Sequence, residues 1–258
     1  MRKKVLILGS TGFIGSYIDS HLRQFHSEKY KVFTWDKTRH GSLLEKDMFE
    51  PYFLDTKPDV IVNCAWLGTS KPEYKNNRQN LDWIESVYGM HELCRKLGIF
   101  IVSIGTESEN DYQRHDLYVH SKRILHKRLL ESGLLTGSCW LQPSYVFSLE
   151  NLRPELIRTS LKSDVDLKRS IRNPFAENDF IHVLDVVSAI MFIVTNKISG
   201  SVSAKSGVKI QNYHLALSVK AKPEKFMFSD SCTTSISHHL SWTQRYTQDL
   251  VQVCDYQK

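Results

Sequence analysis

The stretch that decides the fold is Lys4-Val5-Leu6-Ile7-Leu8-Gly9-Ser10-Thr11-Gly12-Phe13-Ile14-Gly15. Residues 4–8 form a short aliphatic run of the kind that becomes a buried parallel strand. Apolar residues near helical spacing follow at 16–25, so the three glycines join a strand to a helix. Such a junction can hold a pyrophosphate, because the glycines permit a tight turn, a close approach of the backbone and close packing of the helix.

A carboxylate follows the second predicted strand. Residues 31–35 form that strand, and Asp36 comes directly after it. A carboxylate about twenty residues after the glycines receives the hydroxyls of an adenosine ribose, which predicts a dinucleotide site. Lys37 and Arg39 follow at once and could bind a 2′-phosphate, so these residues alone leave NAD and NADP open.

Strand and helix signals alternate along the first part of the chain. Further strands are predicted at 59–64, 99–104 and 138–141, and helices at 42–55, 77–97 and 118–132. This alternation predicts an α/β fold, a doubly wound and mostly parallel sheet with helices on both faces. The pattern changes near residue 150. We therefore expect a nucleotide-binding domain at 1–150, interleaved with a smaller C-terminal substrate-binding lobe at 151–258.

Composition narrows the class of protein. The 258 residues carry a formal net charge of +6 without a run of five basic residues, which favours a small anionic ligand over nucleic acid. The longest apolar run, 183–194, is too short to span a bilayer and contains Asp185. The five cysteines are odd in number and lack C-x-x-C spacing, which predicts reduced thiols, a cytoplasmic location and no metal site.

Tyr118-Val119-His120-Ser121-Lys122 carries the predicted chemistry. On a helix, positions i and i+4 share a face, so a phenol and an ammonium can point into one cleft. Reversible carbonyl reduction needs a proton donor at the reacting oxygen, and a nearby lysine charge would lower the pKa of the tyrosine. A hydroxyl from the end of the preceding strand would complete the site. Thr106 is preferred over Ser103, which lies inside the predicted strand.

These motifs resemble the extended short-chain dehydrogenase/reductase family, of the NAD-dependent epimerase/dehydratase type. The G-x-x-G-x-x-G spacing, Y-x-x-x-K, the strand at 58–65, and residues 140–147 and 178–187 all resemble family segments. The resemblance implies a Rossmann-type sheet and the catalytic residues Thr106, Tyr118 and Lys122. The residues that it places at the coenzyme are Gly9, Thr11, Gly12, Phe13, Ile14, Gly15, Asp36, Lys37, Arg39, Ser42, Leu43, Cys64, Ala65, Trp66, Tyr118, Lys122, Gln142, Pro143 and Tyr145.

Two departures from the family pattern affect the substrate side. Only eleven residues separate Thr106 from Tyr118, where the family has a much longer loop that borders the sugar. Gln142 also replaces a common arginine. The resemblance places Thr106, Glu107, Ser144 and Arg172 at the substrate, although Glu107 is equally compatible with a solvated surface position.

The resemblance implies a function. We expect an NAD(P)H-dependent reductase of a nucleotide-linked 4-keto-6-deoxy sugar, active in deoxysugar and surface polysaccharide (lipopolysaccharide) biosynthesis and forming a homodimer. A biosynthetic reductase would be expected to use NADPH, so the coenzyme prediction leans to NADP(H). Two alternatives remain open: a nucleotide-sugar C4 epimerase with bound NAD, and a non-catalytic NAD(P)-sensing regulator.

Overall fold

The computed structural model describes residues 2–67, 72–148, 155–162 and 166–221. Contacts divide the chain into two compact units. The first comprises Met1–Gln142 and Ile190–Ser203, and the second comprises Pro143–Ala189 and Ala204–Lys258. Both units are therefore built from two separate stretches of chain.

The first unit contains a six-stranded sheet of order β2-β1-β3-β4-β5-β8. Its central pairings, β2 with β1, β1 with β3, β3 with β4 and β4 with β5, are all parallel. This order and direction confirm the predicted doubly wound α/β sheet. The strands are β1 Lys3–Leu8, β2 Tyr30–Trp35, β3 Val60–Asn63, β4 Phe100–Ile104, β5 Ser138–Pro143 and β8 Gly200–Ala204.

Helices connect these strands. The helices are α1 Phe13–Phe25, α2 Lys37–His40, α3 Lys46–Thr56, α4 Gln79–Leu97 and α5 Leu117–Glu131, with 3-10 helices at Pro72–Asn76, Glu107–Asn110 and Leu134–Thr136. Gly98 ends α4 with a φ of 69°. That left-handed conformation favours glycine, and the predicted helix end at this residue is confirmed.

The helix predicted at 42–55 starts later than expected. The Oγ of Ser42 accepts the N–H of Leu44 at 3.2 Å. Serine side chains that bind nearby backbone N–H groups compete with helix formation. The helix α3 accordingly begins at Lys46, and the short helix α2 stands before it, where the sequence predicted none.

The core of the first unit explains its unbroken apolar strands. Leu6 and Leu8 of β1 belong to one buried cluster with Trp83 and Val87 of α4. Alternate strand residues point to opposite faces, and the intervening Ile7 is buried as well. The central strand β1 is thus covered on both faces, as parallel sheets require.

The second unit has a small sheet of its own, in the order β6-β7-β9. The strands β6 and β7 pair in parallel, and β7 and β9 pair antiparallel. Phe147, Phe180 and Leu215 are at the centre of its buried cluster. Its elements are β6 Tyr145–Phe147, α6 Glu155–Ser160, α7 Leu167–Ser170, β7 Glu177–His182, β9 Lys209–Gln211 and α9 Asn212–Ala221. The helix α8 Val183–Asn196 begins in the second unit and ends in the first.

Within the described ranges, no helix has both the length and the apolar character needed to cross a bilayer. Cys64, Cys94 and Cys139 are free thiols. Cys232 and Cys254 lie outside the described residues.

Candidate active site

The three glycines form a tight connection between β1 and α1. Gly9 has a φ of +74°, and a Cβ atom on it would lie 2.8 Å from the backbone nitrogen of Ala65. A Cβ on Gly15 would lie 2.9 Å from the carbonyl carbon of Gly9. The Gly12 N–H donates to the Gly9 oxygen at 3.0 Å. The loop is therefore packed against the end of β3.

The helix α1 begins directly after this loop. Gly12 is its N-cap, and no side chain caps the helix there. Uncapped N–H groups at a helix N-terminus attract anions, phosphates included. Thr11 is exposed, and Phe13 and Ile14 are half-buried. The structure thus places all six predicted residues of the glycine loop around one open helix end.

Asp36 lies at the end of β2, as predicted, and already has a charged neighbour. The Arg39 Nε lies 3.4 Å from its carboxylate, and the Arg39 backbone N–H donates to the same group at 3.2 Å. The Arg39 side chain is 81% exposed, so its charge is available to solvent. Lys37 beside it is exposed as well. Both a carboxylate and cationic groups therefore border this position.

Ser42 and Leu43 differ in their surroundings. Leu43 is buried and belongs to the main core cluster. Ser42 is half-buried, and its hydroxyl is engaged with Leu44. The structure therefore gives the Leu43 side chain a packing role at the position where the sequence predicted coenzyme binding.

Tyr118 and Lys122 lie one turn apart on α5. Asp116 caps the helix by accepting the Val119 N–H at 3.0 Å, which places Tyr118 in the first turn. Tyr118 is half-buried, and its ring meets that of Tyr74 edge to face with centroids 5.4 Å apart. Burial is the main reason why the pKa of Tyr118 is raised, with Tyr74 and the acidic groups adding to it.

This direction is opposite to the prediction that Lys122 would lower the pKa of Tyr118. The reason is the place of the Lys122 ammonium. Its Nζ donates to the Ile104 carbonyl at 2.6 Å and lies 3.6 Å from the centroid of the Trp66 ring. The ammonium is therefore directed to the end of β4, and in this structure Tyr118 remains a protonated phenol at neutral pH.

Lys122 itself is almost completely buried, with 4% of its surface exposed. Burial lowers the pKa of Lys122 to about 7, although the charges of Glu109 and Cys64 act in the opposite direction. Burial also raises the pKa of the Cys64 thiol to about 12. The end of β3, predicted to border the coenzyme through Cys64, Ala65 and Trp66, is thus brought next to the lysine.

Thr106 and its rival Ser103 occupy different environments. Ser103 is buried in β4, where its hydroxyl is bonded to His91 at 2.9 Å. Thr106 is half-buried after the strand and forms the N-cap of the 3-10 helix Glu107–Asn110. Since Lys122 binds Ile104, two residues before Thr106, the structure brings Thr106 and Lys122 to the same strand end. Glu107 is half-buried beside it.

Side-chain contacts, from within the segment and from α5, hold the short segment between Thr106 and Tyr118 in place. Arg114 donates to the Ser108 hydroxyl at 2.8 Å and lies 3.2 Å from the Asp116 carboxylate. Arg123 of α5 donates to the carbonyls of Glu109 and Asp111, each at 2.9 Å. These contacts order a loop that lacks the length found in the family.

The sequence did not single out Glu109, although it is the most heavily bonded carboxylate of this region. It accepts the Thr106 N–H at 2.7 Å and the Trp140 Nε1–H at 3.0 Å. The side-chain amide of Gln142, a residue predicted to contact the coenzyme, also donates to Glu109 at 3.0 Å. The pattern T-x-x-E at 106–109 is a capping-box signal that could have identified Glu109.

Asn80 was also missed. It is fully buried, accepts the Trp66 Nε1–H at 2.9 Å and donates to the Tyr74 carbonyl at 2.7 Å. Asn80 thus ties together the two aromatic residues that touch Lys122 and Tyr118. The spacing of the sequence carries no signal for it, because its partners come from separate segments.

The remaining predicted residues lie at or after the end of β5. Pro143 ends that strand, and the Ser144 hydroxyl donates to the buried Asp179 carboxylate at 2.8 Å within the second unit. Tyr145 is 42% exposed and Arg172 is exposed. The structure shows Ser144 as a partner of Asp179, and it leaves the predicted substrate roles of Ser144 and Arg172 as predictions.

In the part of the chain that the structure describes, no cluster of histidine, cysteine and acidic residues could hold a metal ion. The terminal pair His238 and His239 lies outside the described residues.

Comparison with known proteins places this geometry in a family. The pattern of the NAD dependent epimerase/dehydratase family matches residues 5–204. The chain belongs to this family. The match spans the glycine loop, the Tyr118–Lys122 pair, most of the first unit and the Pro143–Ala189 stretch of the second. The predicted resemblance to this family is confirmed.

Individual relatives are more distant. The chain is 28% identical over 214 residues to a UDP-2-acetamido-2,6-beta-L-arabino-hexul-4-ose reductase of Pseudomonas aeruginosa, a match that covers 78% of this chain and 52% of that protein. The chain thus spans about half the length of this curated relative.

Solved structures show the same fold at low identity. The dTDP-4-dehydrorhamnose reductase of Bacillus anthracis in complex with NADP superposes with a TM-score of 0.69 at 15% identity, covering 92% of this chain and 86% of that one. The Thermus thermophilus UDP-glucose 4-epimerase in complex with NAD gives a TM-score of 0.66 at 18% identity, covering 86% and 83%.

The residues present fit a nicotinamide dinucleotide. A Cβ on Gly9 would meet the backbone of Cys64 and Ala65, and one on Gly15 would meet the backbone of Gly9, so both positions need glycine for the close turn that holds a pyrophosphate at the start of α1. Asp36 with Arg39 stands at the end of β2, and Lys122 stands at the end of β4. Family membership and this donor set together identify the coenzyme as a nicotinamide nucleotide.

Proposed function

We propose that this protein is an NAD(P)H-dependent reductase of a nucleotide-linked 4-keto-6-deoxy sugar. The observation that carries the proposal is the meeting of α5 with the end of β4. Lys122 binds Ile104 there, and Tyr118 lies one turn earlier on the same helix. This arrangement supports a proton donor and a charged group beside the residue, Thr106, that would bind a carbonyl oxygen.

The protonated state of Tyr118 supports the direction of reduction. Reduction of a ketone requires a protonated donor, and the raised pKa of Tyr118 keeps its proton in place. An epimerase would start by oxidising an alcohol, which needs a base. The name of the curated relative, a reductase of a UDP-linked keto sugar, supports the same direction.

The roles of the residues can be stated for the reduction. The bound coenzyme supplies the hydride that is added to C4. Tyr118 donates its proton to the oxygen on that carbon, so the ketone becomes an alcohol and the coenzyme is oxidised. Thr106 binds the same oxygen through its hydroxyl, and Lys122 orients the nicotinamide ribose.

The proposal also includes the coenzyme, the substrate, the oligomeric state and the cellular location. The exposed Arg39 beside Asp36 supports the lean to NADP(H), since it offers a cation to a 2′-phosphate. The substrate is a nucleotide-diphosphate sugar, whose phosphates suit a chain of net charge +6. A cytoplasmic homodimer active in deoxysugar and surface polysaccharide biosynthesis completes the proposal, and sedimentation of the purified protein would check the dimer.

The test is a panel of 4-keto-6-deoxyhexoses linked to UDP, dTDP, GDP and CDP, each incubated with the protein and NADPH or NADH. We expect coenzyme oxidation in step with formation of the alcohol for at least one member. Tyr118→Phe should lower kcat by at least ~100-fold, because the proton donor is lost.

Other outcomes identify the alternatives. A protein that arrives with stoichiometric bound nicotinamide and interconverts C4 epimers without net coenzyme oxidation is an epimerase. A protein that binds the coenzyme but turns over no panel member supports the sensing regulator. Turnover that is undiminished in Tyr118→Phe contradicts the catalytic assignment.

A further inference from the structure

Glu109 is a buried carboxylate surrounded by donors. Only 3% of the residue is exposed. Its Oε1 accepts the backbone N–H of Thr106 at 2.7 Å, and its Oε2 accepts the Trp140 Nε1–H and the Gln142 amide, each at 3.0 Å. The His126 Nδ1 lies 3.1 Å from the same Oε2. Four groups from two elements, β5 and α5, and from the loop after β4 thus converge on one side chain.

The residues around the Glu109 carboxylate leave space for it and hold its neighbour His126 in place. A Cβ on Gly105 would lie 2.6 Å from the Glu109 Oε1, so the glycine leaves room for the carboxylate. The His126 ring stacks on Trp140, with centroids 5.6 Å apart and planes within 17°. The second ring nitrogen of His126 lies 2.6 Å from the Ser201 hydroxyl, which holds the imidazole in place.

This network connects directly to two predicted catalytic residues. Thr106 is held at its backbone by Glu109 and caps the 3-10 helix in return, by accepting the Ser108 N–H at 3.3 Å. The Lys122 Nζ lies 5.4 Å from the ring centroid of Trp140, the same indole that donates to Glu109. Glu109 acts electrostatically on Lys122 and on Tyr118.

We propose that Glu109 is a positioning residue of the reduction, which holds the Thr106 backbone against Trp140 and keeps a negative charge beside the Lys122 ammonium. The proposal rests on the proposed function, since it assigns a role within that reaction. A cap for one turn of 3-10 helix would not require a buried charge with three further donors, because capping is fulfilled by one acceptor. Burying a carboxylate is costly unless it is paired and fully bonded.

Several charged and titratable groups surround Glu109 and Lys122. An experiment on Glu109 must separate its effect from theirs. His126 faces Glu109 from α5, and Cys64 faces Lys122 from the end of β3. Tyr118 is influenced by Tyr74, Asp116 and Arg114 in addition to Glu109. A change confined to Lys122 and Thr106 after substitution of Glu109 therefore distinguishes positioning from a general shift in charge.

The first experiment compares Glu109→Gln with Glu131→Gln. Glutamine keeps the size of Glu109 but removes the charge and puts a donor where Trp140 and Gln142 also donate. We expect kcat to fall about 10- to 100-fold while KM and coenzyme Kd change little, because misplacement affects the reacting groups. Glu131, an exposed surface residue at the end of α5, is the control and should leave kcat unchanged. Unchanged kcat in a folded Glu109→Gln variant overturns the proposal.

The second measurement needs no substrate. The protein is labelled with 13C-lysine, and the side-chain signal of Lys122 is titrated by NMR and assigned through its loss in Lys122→Arg. We expect the pKa of Lys122 to fall by about one unit in Glu109→Gln, since an opposite charge is removed. An unchanged Lys122 titration overturns the electrostatic part of the proposal. If no sugar is reduced by the wild type, the proposed function fails, while this titration still reports whether Glu109 acts on Lys122.

A milder variant covers the case in which Glu109→Gln does not fold. Trp140→Phe deletes one of the four donors and keeps an aromatic ring in the core. We expect a several-fold lower kcat with unchanged coenzyme affinity, and a shifted Lys122 signal. A Trp140→Phe protein with wild-type kcat and a wild-type Lys122 titration overturns the proposal.

Discussion

Charged side chains of the first unit differ sharply in what their surroundings do to them. Arg39 is exposed and shares its charge with Asp36 and with water. Lys122 is buried, donates a hydrogen bond to the Ile104 carbonyl and lies over the indole ring of Trp66. Exposed pairs of the first kind contribute little to stability. A group such as Arg39 can therefore be replaced with little cost to the fold, which makes its role in binding accessible to experiment.

Arg39→Ala tests the proposed coenzyme preference. If Arg39 binds a 2′-phosphate, its removal should raise the Kd for NADPH about tenfold relative to that for NADH, a change of about 1.4 kcal/mol. Quenching of tryptophan fluorescence measures both constants. Arg23→Ala removes a similar surface pair with Asp19 on α1 and serves as the control. An unchanged ratio of the two constants would show that Arg39 does not select the coenzyme.

At the scale of elements, the connection between β1 and α1 depends on the absence of side chains. A Cβ on Gly15 would meet the carbonyl group of Gly9, which is backbone and cannot turn aside. The helix can keep its place on the loop only with glycine there. Gly89 in α4 differs, because a Cβ added to it meets no atom within 4 Å.

Gly15→Ala should therefore weaken both folding and coenzyme binding. Forced overpacking costs about 1–3 kcal/mol, and a displaced α1 would move its N-terminus away from the pyrophosphate. Thermal melting with and without NADPH measures both effects. Gly89→Ala is the matched control and should raise stability slightly, since alanine favours a helix interior over glycine. Equal melting behaviour of the two variants would contradict the packing argument.

At the scale of the whole molecule, the buried lysine links folding to pH. The pKa of Lys122 is lowered to about 7 in the folded protein, while an unfolded lysine titrates near 10.4. Between these values the unfolded chain binds more protons, so the contribution of Lys122 to stability rises with pH. Below pH 7 both states are charged, and the cost of burying the ammonium is fully present.

Lys122→Met should consequently stabilise the fold at neutral pH while it abolishes activity. We expect its thermal midpoint to exceed that of the wild type by a few degrees at pH 7, at about 2–4 °C per kcal/mol. The difference should shrink as the pH approaches 10. Lys127→Met, on the exposed side of α5, controls for loss of a surface charge. A midpoint difference that stays constant with pH would disagree with a lowered pKa for Lys122.

Much of this protein follows from its sequence alone. The apolar runs, the glycines between β1 and α1, and the glycine at the end of α4 determine the order of strands and helices, because these signals act between neighbours in the chain. Asp36, Thr106, Tyr118 and Lys122 could be selected in the same way, each from its place at the end of a strand or on one face of a helix.

Tertiary structure alone decided how those residues are used. Glu109, Asn80 and Trp66 come from separate segments, and only folding brings them to Thr106, Tyr74 and Lys122. The pKa of Tyr118 is raised because burial, Tyr74 and the acidic groups around it outweigh the opposing charge of Arg114. Lys122, which the spacing predicted to lower this pKa, is instead directed to the Ile104 carbonyl. Charge effects depend on distance and desolvation in three dimensions, and neither quantity is written in the spacing of residues along a chain.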